Sequence, residues 1–184
     1  MKKEFVKLSA VLCLITLVAA LVLAGVNTIT APAIERAEKE ATQSAMKNLL
    51  PDAEEFETSE ADKNLSIARK NGEVIGFCAK VFANGYGGAV VMMVGVDKEM
   101  NVQGIEILSQ SETAGLGAKI TEDKFKGQFA GKSLAELKLV KKPTTSPQEF
   151  EAVTGATISS RAVESGIAQA CDMITSLFIK EGAK

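Results

Sequence analysis

A chain of 184 residues is long enough for one compact domain and a small appendage. Its formal net charge of −2 offers no basic surface for nucleic acid, and the absence of histidine removes Ser–His–Asp and Cys–His catalysis and the commonest metal ligand. The three cysteines, Cys13, Cys78 and Cys171, are far apart, with no CxxC and no zinc spacing. Buried free thiols are expected at positions 78 and 171 rather than a disulfide.

In chain order, Leu8 to Val26 carries no charged residue. As a helix it spans about 28 Å at ~1.5 Å per residue, close to the hydrocarbon thickness of a bilayer. Lys2, Lys3 and Lys7 precede it with only Glu4 opposing them, which places the N-terminus on the cytoplasmic side and the rest outside. The run is longer than the apolar core of a usual secretory signal, so an uncleaved anchor is expected despite a possible cleavage site at Val22-Leu23-Ala24. A polar exit, Asn27 to Pro32, is predicted to interrupt the helix, with Pro32 opening a second helix to Leu50. The acidic stretch Glu54–Asn64 reads as a loop. The organisation expected is an anchor over 1–26, a connecting helix and loop over 27–64, and a folded domain over 65–184.

Strands follow. Leu65–Arg69 and Glu73–Ala83 flank Asn71-Gly72, a hairpin turn pair. Gly88–Val96 is an apolar run suited to a buried strand, and Val102–Leu108 alternates as another beyond a turn at Asp97–Met100. Thr121–Phe129 is predicted to be a short helix and Leu137–Val140 a brief strand closed by Lys141-Lys142-Pro143. A long helix is predicted from about Ala156 to Ile179, with Val163, Ile167, Cys171, Ile174 and Phe178 as its apolar stripe. The fold class is α+β: a single N-terminal transmembrane helix, then a domain with a mainly antiparallel sheet and a long C-terminal helix.

The segment Thr154-Gly155-Ala156-Thr157-Ile158-Ser159-Ser160 crowds four hydroxyls around two small residues where that helix begins. The unpaired N–H groups and positive dipole of a helix N-terminus suit a phosphate, and Gly155 and Ala156 leave room beside the backbone. A plain helix cap made by the same residue types accounts for the pattern as well. A second glycine-rich stretch, Ser111-Glu112-Thr113-Ala114-Gly115-Leu116-Gly117, can present backbone N–H groups to an anionic or polar ligand. A third, Gly85-Tyr86-Gly87-Gly88, precedes the apolar strand.

Glu151-Ala152-Val153-Thr154-Gly155-Ala156-Thr157 resembles the flavinylation motif of the FMN-binding domain family, Asp-x-x-(Ser/Thr)-Gly-Ala-Thr, with Glu151 in place of Asp. The second stretch resembles that family's Glu-Thr-Pro-Gly-Leu-Gly loop, with Ala114 in place of Pro, and the third its glycine-rich entry to the central strand. Anchor, motifs and order resemble the G-type subunits of Rnf-type ferredoxin:NAD oxidoreductase complexes, and less closely the C-type subunits of sodium-pumping NADH:quinone reductases. The resemblance implies FMN joined by a phosphoester to Thr157, placed there by a flavin transferase that uses FAD and recognises Glu151. It implies a flavin pocket shaped by Glu112, Thr113, Gly115, Leu116, Gly117, Thr154, Gly155, Ala156, Ile158 and Ser159. Tyr86 reads as packing before stacking, and Lys141 and Lys142 as a solvated pair before a flavin contact. The implied role is electron transfer beside other membrane, iron–sulfur and flavin subunits of an ion-translocating complex in the cytoplasmic membrane. A reversible FMN-binding module and a non-redox scaffold are the alternatives.

Overall fold

The computed structural model describes residues 2–60, 62–141 and 144–181. The chain divides into two compact units, Met1–Glu40 and Ala41–Lys184.

The first unit belongs to helix α1, Lys2–Leu49, which is long and apolar enough to cross a membrane. The predicted interruption at Asn27–Pro32 does not occur: Pro32 lies inside the helix. Proline removes one hydrogen bond of the ladder, whereas the Ala-, Glu- and Lys-rich stretch beyond it propagates helix strongly.

The second unit is built on a five-stranded antiparallel meander in sequence order. Its strands are β1 (Glu55–Thr58), β2 (Leu65–Lys70), β3 (Glu73–Asn84), β4 (Ala89–Asp97) and β5 (Val102–Ser109). Strand β1 takes up residues 55–58 of the acidic stretch expected to be a loop over 54–64. It is a short, exposed edge strand in register with β2, Glu55 opposite Arg69, and its Glu57 carboxylate accepts a hydrogen bond from Arg69 Nε at 3.1 Å. Charged, short edges of this kind resist pairing with other chains. The β2–β3 turn holds Asn71 at φ 51° and Gly72 at φ 81°, the left-handed pair such a hairpin requires.

Alternation along the strands sends one set of side chains to each face. On one face Phe77, Ala79, Val81, Val90, Met92, Val94 and Val96 pack beneath helix α3, Thr157–Glu181. On the other, Ala68, Cys78 and Met93 pack beneath the last turns of α1 and the following residues, through Ala45, Met46, Leu49, Leu50 and Ala53. The close approach on that side needs glycine: a Cβ on Gly95 would stand 2.7 Å from Leu49 Cβ. The apolar stripe of α3 is corrected by this packing. Val163, Ile167 and Ile174 face the sheet as predicted, but Ala170 and Leu177 complete the row, Cys171 is half-buried, and the Phe178 side chain lies outside the described residues.

Residues 117–141 and 144–151 form the rim of the core. In place of one helix over 121–129 there is a 3-10 helix, Gly117–Thr121, and a single turn α2, Asp123–Lys126. Gly127 caps that turn, and Phe125 and Phe129 instead turn inward onto Phe150, with ring centroids 5.4, 6.2 and 4.7 Å apart. Phe150 belongs to β7, Glu149–Glu151, a strand not predicted, which pairs in parallel with β6, Lys138–Val140.

Cys78 and Cys171 are free thiols packed against opposite faces of the sheet. Burial pushes the Cys78 thiol up from the usual value near 9 to about 12. A pKa raised in the folded state means the neutral thiol's contribution is whole below about pH 9 and is lost as pH rises toward about 12. Urea melts over that window should show stability falling more steeply in the parent than in Cys78→Ala, by up to roughly 1.4 kcal/mol per pH unit.

Candidate functional site

The predicted acceptor segment is held on one side by β7. Ala152 N–H donates to Val140 O at 2.8 Å, continuing the β6–β7 pairing by one residue. From the α2 side the Gln128 amide clasps Glu151: its Oε1 accepts from Glu151 N–H at 2.7 Å and its Nε2 donates to Glu151 O at 3.3 Å. With Phe150 fully buried beneath, the strand end is fixed before the chain turns. The turn needs Gly155, whose φ of +79° is left-handed.

Helix α3 then starts on Ala156. Ser160 N–H donates to Ala156 O at 3.0 Å, so Ala156 holds the capping position and has no side-chain oxygen to satisfy the first-turn N–H groups. The plain-cap reading therefore fails at the residue where it would have to act. The four hydroxyls divide. Ser160 Oγ accepts from Val153 N–H at 3.0 Å and donates to Ala156 O at 3.0 Å, tying the turn to the helix. Ser159 Oγ donates to Glu112 Oε2 at 2.5 Å. Thr154 is exposed, and Thr157, half-buried in the first turn, makes no side-chain hydrogen bond among the described residues.

Thr157 borders a cavity of about 380 Å³ shared with Leu139, Lys141, Arg161 and Glu164. Lys141 and Arg161 bring two cations to its walls, while Glu164 is committed in part to Leu139 N–H at 2.9 Å. Lys142 lies outside the described residues. A second cavity, about 350 Å³, opens beside Glu151 and Thr154, with Lys119 and Lys124 at its wall. Free N–H groups, two cations and an unengaged hydroxyl form a donor set that fits the phosphate of FMN.

The stretch 111–117 lies against the same turn. Leu116 and Ala118 N–H both donate to Thr113 O, at 3.1 and 3.2 Å, and Gly115 adopts φ +77°. Thr113, Gly115 and Leu116 are exposed, with Leu116 Cδ2 3.4 Å from where a Cβ on Gly155 would sit. Leu116 and Ile158 thus offer apolar side chains, 47% and 53% exposed, beside the acceptor turn. Glu112, only 8% exposed, points the other way, inward: Oε1 accepts from Gly87 N–H at 2.9 Å and Oε2 from Ser159. Gly117 is buried against that carboxylate, and Tyr86 is 73% exposed.

Three participants were absent from the expected set. Arg161 stands four residues after Thr157, on the same helical face, a spacing that exposes it to discovery from sequence. Ser160 stands among the four crowded hydroxyls with no role assigned to it from sequence, and Gln128 acts on a backbone group brought near by folding, with nothing in its local sequence to mark it.

Gly117 tests the tightness of this arrangement. A Cβ there would stand 2.5 Å from both Glu112 Oε2 and Ser159 Oγ. Gly117→Ala should destabilise the domain by about 1–3 kcal/mol in urea melts, through overpacking.

Residues 85–172 match the FMN-binding domain, and residues 1–49 match the RnfG N-terminal region. The chain is 36% identical to the G-type subunit of the Na(+)-translocating ferredoxin:NAD(+) oxidoreductase complex of Acetobacterium woodii, covering 90% of this chain and 89% of the relative. It is 32% identical to the proton-translocating counterpart of Clostridium ljungdahlii, covering 86% and 85%. It is 31% identical to the G-type subunit of the ion-translocating oxidoreductase complex of Methanosarcina acetivorans, covering 94% and 96%. Among solved structures, the C-type subunit of a Na(+)-translocating NADH-quinone reductase from Parabacteroides distasonis aligns over 56% of each chain at 24% identity, with a TM-score of 0.49. With similarity running almost end to end in three relatives, the chain belongs to the G-type subunits of ion-translocating ferredoxin:NAD(+) oxidoreductase complexes and carries that family's FMN-binding domain.

Proposed function

We propose that this chain is a membrane-anchored electron-transfer protein of such a complex, whose FMN is esterified through its phosphate to Thr157 Oγ1. One observation supports this reading above the rest: Thr157 is the half-buried motif hydroxyl left unengaged, in the first turn of α3, beside Lys141 and Arg161. Ser159 and Ser160 are spent on internal hydrogen bonds, and Thr154 precedes the helix.

FMN supplies reversible one- and two-electron transfer when bound. The protein's own groups bind and orient. The first-turn N–H groups, Lys141 and Arg161 offset the charge of the phosphodiester, while Leu116 and Ile158 give the ring apolar surface. Attachment consumes FAD: Thr157 Oγ1 forms the bond to the FMN phosphorus, the pyrophosphate bond breaks, and AMP leaves as the hydroxyl proton is lost. A flavin transferase performs this step, with Glu151, exposed beside the second cavity, as its recognition acid. Electrons pass between this flavin and other subunits of a ferredoxin:NAD oxidoreductase complex. The two relatives that name a coupling ion name different ones, so the ion is not carried over.

In-gel flavin fluorescence after denaturation should be lost in Thr157→Ala and retained in Thr154→Ala. Full fluorescence in Thr157→Ala would place the acceptor elsewhere. The basic residues before Leu8 put the N-terminus in the cytoplasm and the FMN domain outside. A membrane-impermeant protease added to spheroplasts should digest the chain beyond Val26, and protection until lysis would reverse that orientation.

A further inference from the structure

The Glu112 carboxylate is buried where three segments meet. It receives Gly87 N–H from the β3–β4 loop and Ser159 Oγ from the first turn of α3, and its own backbone belongs to the 111–117 stretch. Both oxygens act as acceptors. Accepting at both oxygens is what a carboxylate offers. The surroundings leave no space for anything larger than this arrangement: a Cβ on Gly85 would collide with Oε1, and one on Gly117 would stand 2.5 Å from Oε2. The carboxylate also lies near the positive end of the helix dipole, where a negative charge is favourable.

We propose that Glu112 is a positioning residue that acts through Ser159 on the first turn of α3, and that its buried negative charge holds down the reduction potential of the flavin attached there. The proposal rests on the reading of Thr157 as the attachment site. Ser159 follows Thr157 in the same helical turn, so an anion held on Ser159 stands close along the chain to the attachment point. An electron arriving on the flavin is opposed by that anion. The hydrogen bond from Ser159 partly offsets its field.

Two substitutions separate charge from shape. Glu112→Gln keeps an acceptor for Gly87 N–H and supplies a donor to Ser159 Oγ while removing the charge. Ser159→Ala keeps the charge and removes the donor. The full chain, purified from a host that flavinylates it, is read for covalent flavin by fluorescence after denaturation, for midpoint potential by spectroelectrochemical titration, and for melting temperature. Glu112→Gln should retain covalent flavin with its potential shifted positive. Ser159→Ala should shift the potential negative. These opposite signs are what a purely structural bond would not produce. An unchanged potential in Glu112→Gln, or shifts of the same sign in both variants, overturns the proposal. If Glu112→Gln fails to fold, Ser159→Ala decides alone, its negative shift supporting the proposal and any other result overturning it. Absence of covalent flavin from the parent, or its retention in Thr157→Ala, overturns the attachment reading instead.

Discussion

Burial of one face of α3 against β3 and β4 sets the rotation of that helix, and the rotation sorts the motif. Continued toward its N-terminus, the buried row Leu177, Ile174, Ala170, Ile167, Val163 runs through Ser160 to Ala156 at spacings of three and four residues. Ala156 and Ser160 therefore face inward, and Thr157 falls on a neighbouring face with Arg161, Ser165 and Ala168, along the wall of the larger cavity. Each large apolar side chain in the row contributes about 1.5–3 kcal/mol on burial. No single polar contact at the motif matches that sum, so the core decides which hydroxyl is presented.

The first turn of the helix is left unsatisfied by the residues around it. An alanine occupies the capping position, and two of the four motif hydroxyls are committed elsewhere: Ser160 to Val153 and Ala156, Ser159 to Glu112. The free N–H groups and the dipole remain available to an anion. In a protein that carries FMN, the chain needs no acid or base of its own. On the proposed reading, its contribution is to hold a charged group at a fixed place and set the field around it.

The sheet has a different task on its other face. The last turns of α1 lie close over Gly95 and Gly104, with Leu49 filling the space that side chains would take. Residues 45–53, which a reading by hydrophobic runs leaves in the connector, thus pack on this face of the sheet. This packing also buries Cys78 in a cluster remote from the motif and, with the sheet between, separates it from Cys171.

Much of what depends on neighbours along the chain is legible in its residues, the helix running on through Pro32 being an exception. The apolar run of the anchor, the Asn71-Gly72 hairpin, the apolar strand through Val94, the long last helix and the motif at its start all follow from local periodicity or local backbone demands. Contacts between distant segments settle the remainder. Strand β7 exists because Phe150 has an aromatic pocket and β6 a free edge, although its three residues carry no strand pattern of their own. The acidic stretch at 55–58 becomes a strand because β2 offers an edge and Arg69 a counter-charge. Gln128 meets Glu151, and Glu112 meets Gly87 and Ser159, across separations of 23, 25 and 47 residues. Such pairs are invisible to periodicity, because hydrogen bonds between remote groups are set by where the core brings the backbone.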